Sequence, residues 1–414
     1  MSEEKTMKNT EQKIPALRFP EFSGEWEEKK LGKIAIFISG FAFSSELFGN
    51  SGYKLITPKN FTKYGYADFT DINTKYTTEE VDDKLVCREG DLLVLLTDLT
   101  ASCELLGKPI LLKQEDGDVL LNQRIVKVVT NESLLIRRLL KNILLRDSYH
   151  KRIVETATGT TVRHSSNKIL SDTVIAFPSL PEQQKIADFL SAVDTRLQLL
   201  KDKKTKLEEY KRGVMQRIFS QELRFTRPDG SAYPDWEEKR IGDVFTFKQG
   251  VQCPVEEQSL EKEDDRVRFI RIIDLTSSNE PARYIRTFNQ KDIIKSNDLF
   301  MVRYGTPGLV GYGFEGVVAN NLFRLIPVTD VYNKYYYYVL LFLNKKITSL
   351  ASSSTMPALN FKSLGMLEIP EPHLDEQRQI ADFLSAIDDK ISLLNQQIAS
   401  TEQYKKGLLQ QMFV

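Results

Sequence analysis

LPEQQKIADFLSAVD at 180–194 and LDEQRQIADFLSAID at 374–388 are two versions of one fifteen-residue string, identical at eleven positions and 194 residues apart. An internal repeat decides architecture before any single motif does. The register runs on without a gap, because EEYKRGVMQRIF (208–219) lies on EQYKKGLLQQMF (402–413) at the same spacing. That stretch shares Tyr210/Tyr404, Lys211/Lys405, Gly213/Gly407, Gln216/Gln410 and Phe219/Phe413. Upstream, WEEKKLGKI (26–34) matches WEEKRIGDV (236–244), and an LRF tripeptide precedes each, at 17–19 and 223–225. Each half therefore reads LRF, WEEK, a long variable stretch, LxEQ and a helix. The variable stretches differ in length by sixteen residues. The chain is two half-proteins in tandem, joined near residue 220.

The downstream repeat has helical spacing. Steps of four and three from Ile186 pick out Leu190, Val193, Leu197, Leu200, Lys204, Leu207, Lys211, Val214 and Ile218. The second copy gives Ile380, Leu384, Ile387, Ile391, Leu394, Ile398, Thr401, Lys405, Leu408 and Met412. This is a heptad seam. Ser179 with Glu182 has capping-box spacing and Pro181 suits a first turn, whereas His373 in place of the serine predicts a weaker cap. A helix of about 40 residues spans roughly 60 Å. A long helix with one apolar stripe needs a partner, and the simplest is the other copy. Either orientation is sterically possible; an antiparallel coiled coil is expected, because it places the two variable domains at opposite ends of one rod, the alternative being that each helix packs only on its own domain. The outward residues Asp188/Asp382 and Ser191/Ser385 are repeated although the seam does not require them. That points to a second surface, used twice by two copies of one partner.

The variable stretches are mixed in pattern and predict an α/β mixed (α+β) fold. Strands are expected at 33–38, 91–96, 109–113, 124–129, 243–247, 268–275, 298–303 and 321–328. Helical runs follow at 133–154 and 333–350, then small polar loops at 156–166 and 351–360. The expected segments are a first globular domain at 1–178, a helical spacer at 179–221, a second domain at 222–372 and a final helix at 373–414.

No catalytic set is present in the sequence. It contains no GxxxxGK[ST] phosphate loop, no GxSxG elbow and no HExxH, and it has three histidines in all, His150, His164 and His373. PDWEEK at 234–239 imitates a nuclease motif, but its sister GEWEEK at 24–29 lacks the Pro-Asp. WEEK is better read as the opening of a strand or helix, with Trp26 and Trp236 as anchors. Cys87, Cys103 and Cys253 form no CxxC pair and no disulfide framework. The longest apolar run, 335–343, is too short to span a bilayer, and MSEEKTMKNTEQK lacks the apolar core of a secretion signal. A cytoplasmic protein with no membrane partner is expected.

Lys+Arg and Asp+Glu balance at 57 each, so a nucleic-acid surface must come from local clusters. The first variable stretch offers Lys59, Asn60, Tyr64, Tyr66, Arg124, Arg163 and His164, with Lys168 nearby. The second offers Arg266, Arg268, Arg271, Arg283, Arg303, Tyr304 and Arg324. Within RVRFIRII, a strand period puts Arg266 and Arg268 on one face, and Gly305 and Gly308 would let backbone approach a ligand. Lysine and arginine suit phosphates; arginine, asparagine, serine and threonine suit base edges.

The tandem halves, the WEEK openings, the LPEQ/LDEQ helix starts and the twin IADFLSA[VI]D strings resemble the specificity subunit of type I restriction–modification enzymes. The resemblance covers nearly the whole chain. It implies two target recognition domains, each reading one half of a bipartite double-stranded DNA site, and a coiled coil that sets the gap. It also implies docking of two modification subunits that carry S-adenosylmethionine, and of restriction/translocase subunits that use ATP and Mg²⁺. This chain would then hold no cofactor and no metal and would be no enzyme itself. Two other readings compete: a non-DNA coiled-coil scaffold, supported by the neutral charge, and a stand-alone DNA-binding regulator.

Overall fold

The computed structural model describes residues 13–98, 100, 102–159, 162–277, 279–286, 289–351 and 357–414. Two long helices dominate it, Leu180–Phe219 and Leu374–Gln411. The chain divides into two compact units, Met1–Leu200 with Gln397–Val414, and Lys201–Gln396. Each unit therefore holds one variable domain and a part of each long helix.

The seam behaves as the heptads predict. In the first unit, Ile186, Leu190 and Val193 share a buried cluster with Leu408, Leu409, Met412 and Phe413. In the second, Val214, Met215 and Ile218 share one with Ile380, Ala381, Leu384 and Ile387. The early part of one helix meets the late part of the other in both units, so the segments run antiparallel. Leu197 and Leu394 are buried as well, whereas Leu200, Leu207, Ile391 and Ile398 are half-buried.

The two variable domains share a plan. The WEEK strand, Glu27–Lys30 or Glu237–Arg240, pairs antiparallel with the strand that leads into the long helix, Val174–Phe177 or Glu368–Glu371. A four-stranded sheet follows in each. In the first it joins Ala35–Ser39, Ile125–Thr130, Leu92–Leu95 and Pro109–Leu111; in the second, Phe245–Gln249, Leu322–Pro327, Leu299–Val302 and Val310–Gly311. A further sheet lies beside it, five-stranded in the first domain and four-stranded in the second. Gly40 and Gly250 hold matching places after the first strand of the four-stranded sheet. A Cβ there would fall 1.9 Å from the Asn122 carbonyl oxygen and 2.1 Å from that of Ala319.

Several expectations change. The run 133–154 is two helices, Arg137–Leu145 and Asp147–Thr156, because Arg146 is extended (φ −61°, ψ 145°). The run 333–350 also divides, at Leu343, but more mildly, since that residue keeps a near-helical bridge conformation (φ −82°, ψ 3°). The strand expected over 268–275 runs from Arg266 to Ile270 and gives way to a short helix, Ile272–Thr276. Asp274 explains the turn, since its carboxylate accepts the Arg271 backbone N–H at 2.8 Å. Glu182 does not close a capping box, because its carboxylate turns inward to Arg18. His373, expected to be the poorer cap, accepts the Asp375 N–H through Nδ1 at 3.3 Å. Packing also asks for glycine at Gly308, where φ is +88° and a Cβ would meet Ile347 at 3.1 Å. The loops expected at 156–166 and 351–360 fall partly outside the described residues, at 160–161 and 352–356, and so do residues 1–12 of the N-terminal stretch.

Candidate nucleic-acid interface

The repeated motifs find their purpose in how each variable domain is mounted. Arg18 of the first LRF donates two hydrogen bonds, both 2.8 Å, to the Glu182 carboxylate of LPEQ. Arg224 of the second LRF does the same to Glu376 of LDEQ, at 2.8 and 3.0 Å, and Trp236 Nε1 adds a third donor at 3.0 Å. Glu182 and Glu376 are almost wholly buried. The phenylalanine of each LRF packs on that of IADF, Phe19 on Phe189 and Phe225 on Phe383, with centroids 5.9 and 5.7 Å apart. The following glutamine reaches the start of the domain's own helix. Gln183 accepts the Ile136 N–H and Gln377 accepts the Tyr332 N–H. A bidentate charged pair beside an aromatic contact fixes both distance and orientation.

The end of the string is used across the helices. Asp194 accepts from Lys405 at 2.6 Å and from Lys141 at 2.8 Å. In the other unit its counterpart Asp388 accepts from Lys211 at 2.6 Å and from the Tyr338 hydroxyl at 2.7 Å. Burial alone would raise the Asp194 carboxyl, but the two lysines outweigh it and hold the pKa below the ordinary value.

In the second domain, most of the candidate arginines are already matched. Arg268 and Arg271 flank the buried Asp274, at 3.3 and 3.1 Å. Arg266 pairs with Glu263, and Arg324 lies 3.6 Å from Asp298 and donates to the Lys291 carbonyl. Arg303 differs. It lies 4.2 Å from the Phe361 ring centroid and 4.9 Å from that of Tyr304, and donates to Gln249 Oε1 at 2.7 Å and to the Leu359 carbonyl. These partners are neutral, so its charge is oriented but not cancelled. Arg283, on the strand Arg283–Arg286, likewise has no ion pair among the described residues. Gln249 escaped the sequence reading, because only the pairing of its strand with Leu322–Pro327 brings it beside Arg303.

In the first domain, Arg163 and His164 form a short strand against Thr97–Asp98, and the Arg124 carbonyl accepts the Leu96 N–H on the same edge. Arg163 donates to the Gly159 and Val154 carbonyls, and His164 Nδ1 lies 3.2 Å from Thr97 Oγ1. Arg124 and Arg163 have no ion pair among the described residues, so this edge stays cationic. Lys59 is exposed beside it in sequence, but Asn60 is a correction. Its side chain is fully buried, accepts from Thr57 and donates to the Asp68 carbonyl, stapling the loop instead of facing a groove. Tyr64 and Tyr66 stack at 5.9 Å, and Tyr64 lies toward the second long helix, where its carbonyl accepts from Lys405.

A second surface is repeated as well. Tyr210/Tyr404 and Leu199/Leu393 are large, apolar and exposed, each by more than half. Gly213 and Gly407 have open space where a Cβ would stand. Glycine inside a helix costs about 1 kcal/mol against alanine, and no contact within the chain requires it here. Each unit holds one such set. Asp188 and Asp382 are exposed; Asp188 is held by Gln184 and Arg138, both at 2.8 Å, which lowers its pKa. The seam residues are mostly buried or half-buried within the chain, whereas this outer face is exposed.

Three further features bear on chemistry. Among the described residues no His/Cys/Asp/Glu group could hold a metal ion. No helix among the described residues is long and apolar enough to cross a membrane. Cys87 is buried, which pushes its thiol up to about 12.

A domain of this plan, carried twice on paired long helices, defines a class. Residues 23–209 and 233–403 match the type I restriction modification DNA specificity domain, and the chain belongs to that family. It is 24% identical to the type I restriction enzyme MjaVIII specificity subunit of Methanocaldococcus jannaschii, over 95% of this chain and 92% of that one. It is 23% identical to the EcoBI specificity subunit of Escherichia coli, over 94% and 85%. The crystal structure of a type I restriction–modification S subunit from M. genitalium has the same fold, with a TM-score of 0.63, 18% identity and coverage of 97% and 99%. The chain is thus a type I restriction–modification specificity subunit, and its work is DNA sequence recognition.

Proposed function

We propose that each variable domain reads one half of a bipartite, gapped DNA site, and that the helix pair sets the gap and docks two modification subunits. The observation that carries the reading is one mount made twice beneath unlike surfaces. Arg18–Glu182 with Phe19–Phe189 and Arg224–Glu376 with Phe225–Phe383 hold the two domains by the same ion pair and ring contact. The cationic edges they carry differ: Arg124, Arg163 and His164 in one, Arg303, Tyr304 and Arg283 in the other. A common mount with different faces suits two readers of different sequences. The twin sets of Tyr210/Tyr404, Gly213/Gly407 and Leu199/Leu393 suit two copies of one partner. S-adenosylmethionine, ATP and Mg²⁺ chemistry falls in this reading to the modification and restriction subunits, and the chain is a non-catalytic guide working in the cytoplasm.

The reading domains are taken as 1–178 and 222–372, with the spacer at 179–221 and 373–414. Replacing residues 27–178 by the matching stretch of another specificity subunit is expected to change one half-sequence and leave the other intact. Sequencing the methylated adenines of cells carrying the hybrid and its modification subunits reads the result. A change in both half-sequences would refute independent reading. The scaffold alternative fails if the chain binds duplex DNA with a steep salt dependence. The stand-alone regulator fails if a methyltransferase co-purifies.

A further inference from the structure

We infer that the first unit contains an anion pocket, distinct from the cationic edge, that accepts the phosphate of a phosphorylated ligand. A cavity of about 730 Å³ opens between the first domain and the second long helix's last turns, bordered by Lys63, Lys108, Arg146, Ser148, Lys406 and Leu409. That volume lies in the range of small-molecule sites, about 300–1,000 Å³.

Two independent features converge there. The first is Lys108, which is 93% buried and has one hydrogen bond, a long 3.3 Å contact to the Leu145 carbonyl. An ammonium has three donors, and no carboxylate lies within ion-pair distance of Lys108 among the described residues. Buried charges are normally paired, and burial accordingly lowers the pKa of this one. The second is the start of the ten-residue helix Asp147–Thr156, whose N-cap, Arg146, supplies no side-chain cap. The first amide N–H groups of a helix have no partner within it and favour an anion. Arg146 and Ser148 put this terminus on the cavity wall.

The acids on the wall do not cancel the site. Of the five lysine and arginine side chains on the wall, Lys405 is matched by Asp194 and Lys406 by Asp147, which leaves Lys63, Lys108 and Arg146 beside Glu104 and Glu402. Of the acids, Asp147 is matched by Lys406 at 3.1 Å, Glu104 is exposed and Glu402 is half-buried. Leu145, Leu197 and Leu409 give an apolar wall, and the Tyr64 ring gives a flat one, so a ring-bearing phosphate such as a nucleotide fits the chemistry. The phosphate could come from a free nucleotide or from the backbone of a bound duplex.

The test titrates the full chain with pyrophosphate and with adenosine diphosphate in a calorimeter. In parallel, the salt dependence of its binding to a random-sequence duplex is measured. Lys108→Met and the exposed-site variant Lys63→Ala are compared with the parent; the second keeps the test valid should the first fail to fold. Small-molecule binding that each variant weakens by about tenfold or more assigns the pocket to a free nucleotide. No small-molecule binding, but a salt slope reduced by about 1 in both variants, assigns it to a duplex phosphate. No pyrophosphate or diphosphate binding together with an unchanged salt slope overturns the proposal, as does binding that neither variant alters.

Discussion

Glu376→Ala is expected to destabilise the second unit by about 3–5 kcal/mol, the cost of stranding one member of a buried ion pair. Glu376 is fully buried and answers three donors, two from Arg224 and one from Trp236 Nε1. Removing it leaves the guanidinium and the indole N–H facing a void. The double variant Arg224→Met/Glu376→Leu is expected to recover a large share of the loss, because apolar side chains of similar volume replace a buried pair at little cost. Urea unfolding of the parent, Arg224→Met, Glu376→Leu and the double gives the coupling energy. Additive losses would show that the pair does not hold the domain on its helix. Glu182→Ala should behave in the same way in the first unit, although the Trp26 Nε1 has no hydrogen-bond partner there.

Asp194→Ala carries the second large effect, about 3 kcal/mol. It strands Lys405 and Lys141, whose side chains are only 6% and 10% exposed. The equivalent change at Asp388 is expected to cost about 1 kcal/mol, since that carboxylate is 37% exposed and Lys211 is less enclosed. The asymmetry separates burial from mere pairing. The folded pKa of Asp194 lies below its unfolded value, so its contribution is complete above the ordinary carboxylate range, near 3.9. It is lost as pH falls through the folded value. Stability curves of parent and Asp194→Ala should therefore lie apart at neutral pH and converge in acid. Parallel curves down to strongly acid pH would contradict the assignment.

Much of this was legible in the sequence. The heptad seam and the tandem plan follow from periodicity and repeats, because both helices bury one stripe against the same kind of neighbour; the antiparallel choice rests on where it puts the two domains, and WEEK is open between strand and helix. The pairings that give the repeats their meaning were not legible. Asp194/Asp388 and Lys211/Lys405 are repeated in the text, but only the antiparallel register brings Asp194 to Lys405 and Asp388 to Lys211. LRF and LxEQ stand more than 150 residues apart in each half, so no local rule joins Arg18 to Glu182. Helix breaks at Arg146 and Leu343 were missed because the apolar pattern runs straight through both. The single arginines differ in ways the sequence does not show. Arg266, Arg268 and Arg324 look alike in sequence to Arg303, and only the fold sets Glu263, Asp274 on its short helix, and Asp298 beside them.

The central claim is that the paired helices set the distance between two half-sequences. Four residues inserted after Leu200 and four after Gln396 would lengthen the pair by about 6 Å, or roughly two base pairs at about 3.4 Å each. The decisive measurement is the methylome of cells carrying this longer chain with its modification subunits. An unread gap about two base pairs longer, with both half-sequences unchanged, is the predicted result. An altered half-sequence with the gap unaltered would contradict it.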